Sequence, residues 1–175
     1  GLYPDIVALR YLEQNENDNQ KLKEKALGYI NSGYQRLLTF EVKGTPGGYS
    51  LYGKSPAEPV LTAYGLMELK DLSTVYEVDN NVLERMRDYL FGIQNTNGSF
   101  DMNGNSTYST GHVVGGSDTF KMNAYITWAL SEAYPDDSRL EKSIEYIEKM
   151  ANVLKIESYK LFLPANLEIK FLRTR

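Results

Sequence analysis

Leu61-Thr62-Ala63-Tyr64, with Leu69 five residues further on, returns as Met122-Asn123-Ala124-Tyr125 with Leu130, 61 positions later. Tyr29 returns as Tyr89 at nearly the same offset. A pattern that repeats at one spacing marks a recurring structural unit, and both copies here lie in segments whose apolar residues follow a helical period. The segments Ile6 to Leu12, Val60 to Leu72, Met122 to Leu130 and Leu161 to Leu172 are apolar on nearly every face. A helix of that kind has to be surrounded by protein, so these four are expected to be inner helices. Pro164 is the misfit, because inside a helix it removes a hydrogen bond and crowds the preceding turn.

Between the inner helices lie amphipathic ones. Leu22, Ala26, Ile30, Gly33 and Leu37 recur at helical spacing, and Lys21, Lys23, Glu24 and Lys25 form a solvated face. Val82, Met86, Leu90 and Ile93 do the same, with Glu84, Arg85, Arg87 and Asp88 outward. So do Leu140, Ile144, Ile147, Ala151 and Leu154. Three outer helices follow. Pro56 and Pro59 suit the first turn of the second inner helix, Asp79 or Asn80 the cap of the next helix, and Asp137 or Ser138 the cap near Leu140.

The connections repeat as well. Gly47-Gly48-Tyr49-Ser50 and Asn97-Gly98-Ser99-Phe100 are each a glycine turn followed at once by an aromatic side chain able to plug the end of a helix pair. A helical hairpin cannot bury its faces alone and must stack on its neighbours. Inner and outer helices joined this way imply an all-α fold, an α/α toroid built as a concentric double ring. Four inner and three outer helices amount to about three and a half hairpins, an incomplete ring occupying residues 1–175 as a single partial domain.

Composition removes several functions. The 19 Lys and Arg are scattered among 23 acids at a net charge of −4, which leaves no one-signed surface for a nucleic acid. No apolar run is long enough to cross a bilayer, and no secretory leader opens the sequence. With no cysteine there can be no disulfide, thiolate nucleophile or Cys-based metal site, and one histidine is too few for a His-rich one. No cofactor or metal is expected, and the redox compartment stays open. The 14 tyrosines suit a wide, partly polar interior or groove.

Particular strings then carry a likeness. Gly28-Tyr29-Ile30-Asn31-Ser32-Gly33-Tyr34-Gln35-Arg36, Gly48-Tyr49-Ser50-Leu51-Tyr52-Gly53, Leu61-Thr62-Ala63-Tyr64, Gln94-Asn95-Thr96-Asn97-Gly98-Ser99-Phe100 and Gly115-Gly116 ahead of Asn123-Ala124-Tyr125-Ile126 resemble, in order and spacing, the thioester-containing domain of alpha-2-macroglobulins and complement proteins. The resemblance runs from Leu2 to Leu154. It implies a terpenoid-cyclase-like α/α toroid inside a larger secreted, periplasmic or cell-surface protein, a bacterial homologue, that traps proteases or tags surfaces. Its partners would be target proteases and the other domains of that parent.

In that family a Gly-Cys-x-Glu-Gln motif precedes the first complete inner helix and forms an internal thioester. Gly1-Leu2-Tyr3-Pro4 is similar to the residues just downstream of that motif, and nothing here replaces the missing thiol. The expectation is therefore a scaffold with no thioester chemistry of its own and no enzymatic turnover. Complement members place a histidine shortly before the Gly-Gly pair, where it takes the acyl group and passes it to hydroxyls. His112 is the corresponding candidate, set against the ordinary reading of a solvent-facing loop histidine. Asp79, Asp101, Asp136 and Asp137 are read as caps or turn residues rather than acid–base groups. Tyr49, Tyr52, Phe100 and Tyr108 are read as plugs between hairpins, and Trp128 as core. Two alternatives remain: an enzyme on the same double ring, such as a terpenoid cyclase, prenyltransferase or polysaccharide lyase, and a plain helical-repeat interaction module. An open arc would expose apolar helix faces, so a dimer through its edges is expected.

Overall fold

The computed structural model describes residues 2–14, 20–102 and 116–154. Six α-helices run through them in chain order: α1 Tyr3–Gln14, α2 Gln20–Leu38, α3 Pro59–Leu72, α4 Asn80–Gly92, α5 Gly116–Ala133 and α6 Leu140–Leu154. The odd-numbered helices pack side by side, α1 on α3 and α3 on α5. Each even-numbered helix packs on the odd one before it, so the inner and outer layers read from the periodicity are present. The fourth inner helix expected over Leu161 to Leu172, with Pro164, lies outside the described residues.

The core follows from this arrangement. Leu66, Leu69 and Leu72 of α3, Met86 and Leu90 of α4, and Ile126 and Leu130 of α5 are fully buried in one continuous cluster. α3 has inner neighbours on both sides and buries positions all around its circumference, including Thr62, Gly65 and Glu68. α1 has only one inner neighbour among the described residues. It buries Ile6, Leu9 and Leu12 and leaves Tyr3, Val7 and Tyr11 about half exposed. α1 is thus one-sided, contrary to the expectation that every inner helix is enclosed.

Other expectations change with the coordinates. Leu22 is 46% exposed, so the apolar face of α2 is set by Ala26, Ile30 and Tyr34. Pro59 does occupy the first turn of α3, but Pro56 lies in the preceding loop. Tyr52, at 79% exposure, plugs nothing, while Tyr49 and Phe100 are buried as expected. Trp128 is half-buried beside Tyr125 instead of deep in the core. Asp79 does cap α4, its side chain accepting from the Asn81 N–H, and Asp137 accepts from the Arg139 N–H just ahead of α6.

The two glycine–aromatic loops are built alike. Each closes with a single antiparallel bridge, Glu41 to Tyr49 in one and Gln94 to Phe100 in the other. The Tyr49 N–H donates to Thr62 Oγ1 at 3.0 Å, and the Phe100 N–H to Asn123 Oδ1 at 2.7 Å. Thr62 and Asn123 are the repeat-equivalent residues of α3 and α5, and each side chain also donates to the carbonyl four residues earlier, Glu58 and Thr119. Gly47 and Gly98 have positive φ, 77° and 86°. A Cβ on either would come within 1.9 Å of a carbonyl oxygen in the next outer helix, Arg85 in α4 or Lys142 in α6. Only glycine fits where two backbones meet this closely. Each of these two loops is therefore tied to both helices of the following hairpin, and these joints couple one repeat to the next.

Candidate functional site at the start of α1

The start of α1 is where the likeness puts the attachment of the reactive segment. The Leu2 carbonyl accepts from the N–H groups of Asp5 and Ile6 at 3.1 and 3.0 Å, which makes Leu2 the residue that opens the helix. Pro4 has no N–H to satisfy. The Leu2 and Tyr3 N–H groups lie close enough to the carboxyl of Glu68, on α3, to favour its charged form. A carboxylate at the positive end of a helix dipole is favourably placed, and here it comes from a different helix.

Glu68 sits in an unusual setting for an acid. Its side chain is 8% exposed, and Oε1 has no hydrogen-bond partner. Burial is the largest influence on the carboxyl and pushes its pKa up; the Leu2 N–H, the positive charge of the chain's amino terminus and the Tyr3 N–H act in the opposite direction without cancelling it. The sequence reading passed over this residue. The available signal was an acid on the face that Leu61, Gly65 and Leu72 share with it, in a helix otherwise apolar on that side.

A cavity of about 700 Å³ opens beside it, between α1, α2, α3 and the loop after Tyr49. Leu2, Leu37, Phe40 and Leu51 form apolar walls, Tyr29 and Tyr64 add rings, and Glu68 lines it from α3. Asp5 and Arg36 also border it and carry opposite charges.

The neighbouring joint supplies a second buried polar group. The Tyr49 hydroxyl has no partner; burial raises its pKa and the Glu41 carboxylate adds to that, with Arg85 opposing. Glu41 itself forms a two-pronged pair with Arg85, Nε to Oε1 and Nη2 to Oε2 both at 3.1 Å, and accepts from the Gly47 N–H at 2.7 Å. Burial would raise the Glu41 pKa, but the Arg85 and Gly47 hydrogen bonds and the Arg85 charge together outweigh it and hold the carboxyl below its ordinary value. In the second joint, Gln94 stands in the place of Glu41 and donates to Ser143 Oγ at 2.6 Å and to the Arg139 carbonyl at 3.2 Å.

The remaining candidates are not drawn together. Asp79 and Asp137 serve helix starts, and Asp101 and Asp136 are exposed. His112 and Tyr108 lie outside the described residues. Among the described residues no group of three or more His, Cys, Asp or Glu side chains could hold a metal ion, and no helix is long and apolar enough to cross a membrane.

A double layer of helical hairpins with glycine–aromatic joints defines an α/α-toroid domain of the macroglobulin type. The chain belongs to that family: the model of the A-macroglobulin TED domain matches residues 1–164, ten residues beyond the end of the string-level likeness. Among curated proteins it is similar to ovostatin of Gallus gallus, 33% identical over 138 residues. That match covers 74% of this chain and 9% of ovostatin, so the chain spans under a tenth of this relative's length.

Proposed function

We propose that this chain is the scaffold of a thioester domain in a secreted, macroglobulin-type protease trap, acting by stoichiometric capture and not by turnover. The observation that carries the reading is the family match across residues 1–164, together with the order of inner and outer helices that it implies. The chain has no cysteine, so its own residues cannot form the thioester. In this reading the thiol and the glutamine are supplied by the parent protein, and Glu68 lies beside the Leu2 and Tyr3 N–H groups at the start of α1. His112 is the proposed acyl-transfer residue, since neutral imidazole is a competent nucleophile near pH 7. The partners are target proteases and the other domains of the parent.

The test uses the parent-length protein. Incubation with a serine protease should give covalent conjugates on denaturing gels, and pretreatment with methylamine should abolish them. A His112→Ala change should shift transfer from hydroxyl to amine acceptors. A protein that forms no conjugates, with or without pretreatment, contradicts the trapping role; unchanged acceptor preference removes His112 from it.

A further inference from the structure

We propose that Asn97, at the exposed turn of the second glycine–aromatic joint, is an acceptor for an N-linked glycan. The inference rests on the secreted part of the proposed function and adds to it a covalent modification at a defined place in the fold.

The motif is Asn97-Gly98-Ser99, an asparagine with a hydroxyl residue two positions on and no proline between them. So short a motif arises often by chance, but the setting of this one is particular. Asn97 is exposed, in the turn that leads from α4 to the buried ring of Phe100. Its side-chain oxygen accepts from the Ser99 N–H at 3.0 Å and from the Ser99 hydroxyl at 2.7 Å. Both bonds go to Oδ1, and Nδ2, the atom that would carry the sugar, takes part in neither. The amide and the hydroxyl of the motif are thus side by side, with the amide nitrogen outside their bonding.

The first joint shows that this pair is not demanded by the turn. Gly47 approaches the backbone of α4 as Gly98 approaches that of α6, and both have positive φ. Yet Gly47 is flanked by Pro46 and Gly48, so the first joint seats with neither an asparagine nor a hydroxyl beside its glycine. Asn97 and Ser99 are therefore additions to a joint whose close approach requires glycine alone. Gly98 is buried against the Lys142 carbonyl while Asn97 is exposed, so a bulky, hydrophilic group on Asn97 leaves the joint closed.

The donor is an oligosaccharide carried on a lipid diphosphate. Nδ2 forms a bond to C1 of the first sugar, the C1–O bond to the diphosphate breaks, the amide gives up one proton, and the lipid diphosphate leaves. Transfer takes place as the chain enters the secretory lumen, before the joint closes, so the folded domain has only to accommodate the product. The two joints then differ at the surface. Leu51 and Tyr52 are exposed just beyond the first aromatic, whereas the second joint turns a sugar toward solvent in the parent.

The experiment uses the parent-length protein with its natural amino terminus, made in insect cells. Asn105→Gln removes a second motif, Asn105-Ser106-Thr107, which lies outside the described residues. Peptides from medium and cells are treated with peptide N-glycosidase in heavy-oxygen water, which turns a glycosylated asparagine into a labelled aspartate. Most secreted copies should carry the label at position 97 with the enzyme and lack it without. Asn97→Gln and Ser99→Ala should each abolish it, and Ser99→Thr should preserve it, an outcome that follows the motif and not the turn. Should those variants fail to fold, peptide mapping with Asn97 and Ser99 in place still decides the matter. Secreted protein with position 97 unlabelled, or label that survives Ser99→Ala, would overturn this inference and leave the secreted reading standing. Protein held in the cytosol with Asn97 bare would overturn both.

Discussion

The joint around Tyr49 and the joint around Phe100 do the same mechanical work with different chemistry. In both, an aromatic N–H is received by a side chain of the next inner helix, and a positive-φ glycine lies against the backbone of the next outer helix. The first residue of the bridge differs. Glu41 pairs with Arg85, a charged contact, while Gln94 reaches Ser143 and the Arg139 carbonyl, a neutral one. The backbone positions are therefore fixed by geometry that only glycine and a suitably placed acceptor satisfy, whereas the flanking polar contact is free to change its charge type.

The harshest way to break this likeness is through the glycines. Gly47→Ala and Gly98→Ala each combine a left-handed backbone with overlap of a helix carbonyl, and each should cost about 3 kcal/mol or more in urea denaturation. Gly44→Ala provides the contrast, since it has φ 84° with nothing within 4 Å and should lose only about 1 kcal/mol. A Gly47→Ala penalty no larger than that of Gly44→Ala would mean that the loop does not seat on α4.

Removal of the acceptors comes next. Thr62→Val and Asn123→Leu each strand a buried N–H, of Tyr49 or Phe100, and should cost about 1–3 kcal/mol by the same denaturation assay. Similar losses at the two sites would sharpen the equivalence. A loss at one site only would break it.

Smaller effects separate the joints by pH. The Glu41 carboxyl is held below its ordinary value in the folded chain, so the stability it contributes is present above the unfolded carboxylate range and is lost as pH falls through the lowered folded value. Glu41→Gln should flatten that acid limb by roughly 1 kcal/mol or less, because Arg85 is 40% exposed and solvent screens the pair. Glu68 works in the opposite direction. Its pKa is raised because burial penalises the charged form, so its contribution declines as pH rises through the folded value. Relative to Glu68→Gln, the unaltered chain should therefore weaken between acid and neutral pH in guanidinium titrations; a parallel pair of curves would contradict the burial of that carboxylate.

The smallest effect concerns association. Tyr3, Val7 and Tyr11 form an exposed stripe on α1, and a weak, concentration-dependent dimer through it should disappear in a Val7→Lys/Tyr11→Lys variant. Light scattering that shows the same monomer for both chains at high concentration would remove this edge as an interface.

The helices and their layering were legible because burial in this fold follows the helical period: Ile30, Met86, Leu90, Ile144 and Ile147 are all interior, as their spacing requires. The equivalence of Thr62 and Asn123 was visible as a repeat, though not the bond each makes, because that bond depends on a loop folding back over the helix end. Leu22 and Tyr52 were misread since hydrophobicity alone does not say whether a neighbour arrives to cover a side chain. Glu68 escaped notice for a related reason. The groups that act on it are backbone N–H groups at the start of another helix, and backbone groups leave no mark in the sequence.

The joints are the features that turn separate helical hairpins into one body holding the start of α1 in place. Native-state hydrogen exchange at the Tyr49 and Phe100 amides tests this most directly. Both should exchange as slowly as the amides of Leu66 and Leu69 in α3, opening only when the whole domain unfolds. Exchange at the rate of the exposed neighbours Leu51 and Tyr52, at either joint, would contradict the account.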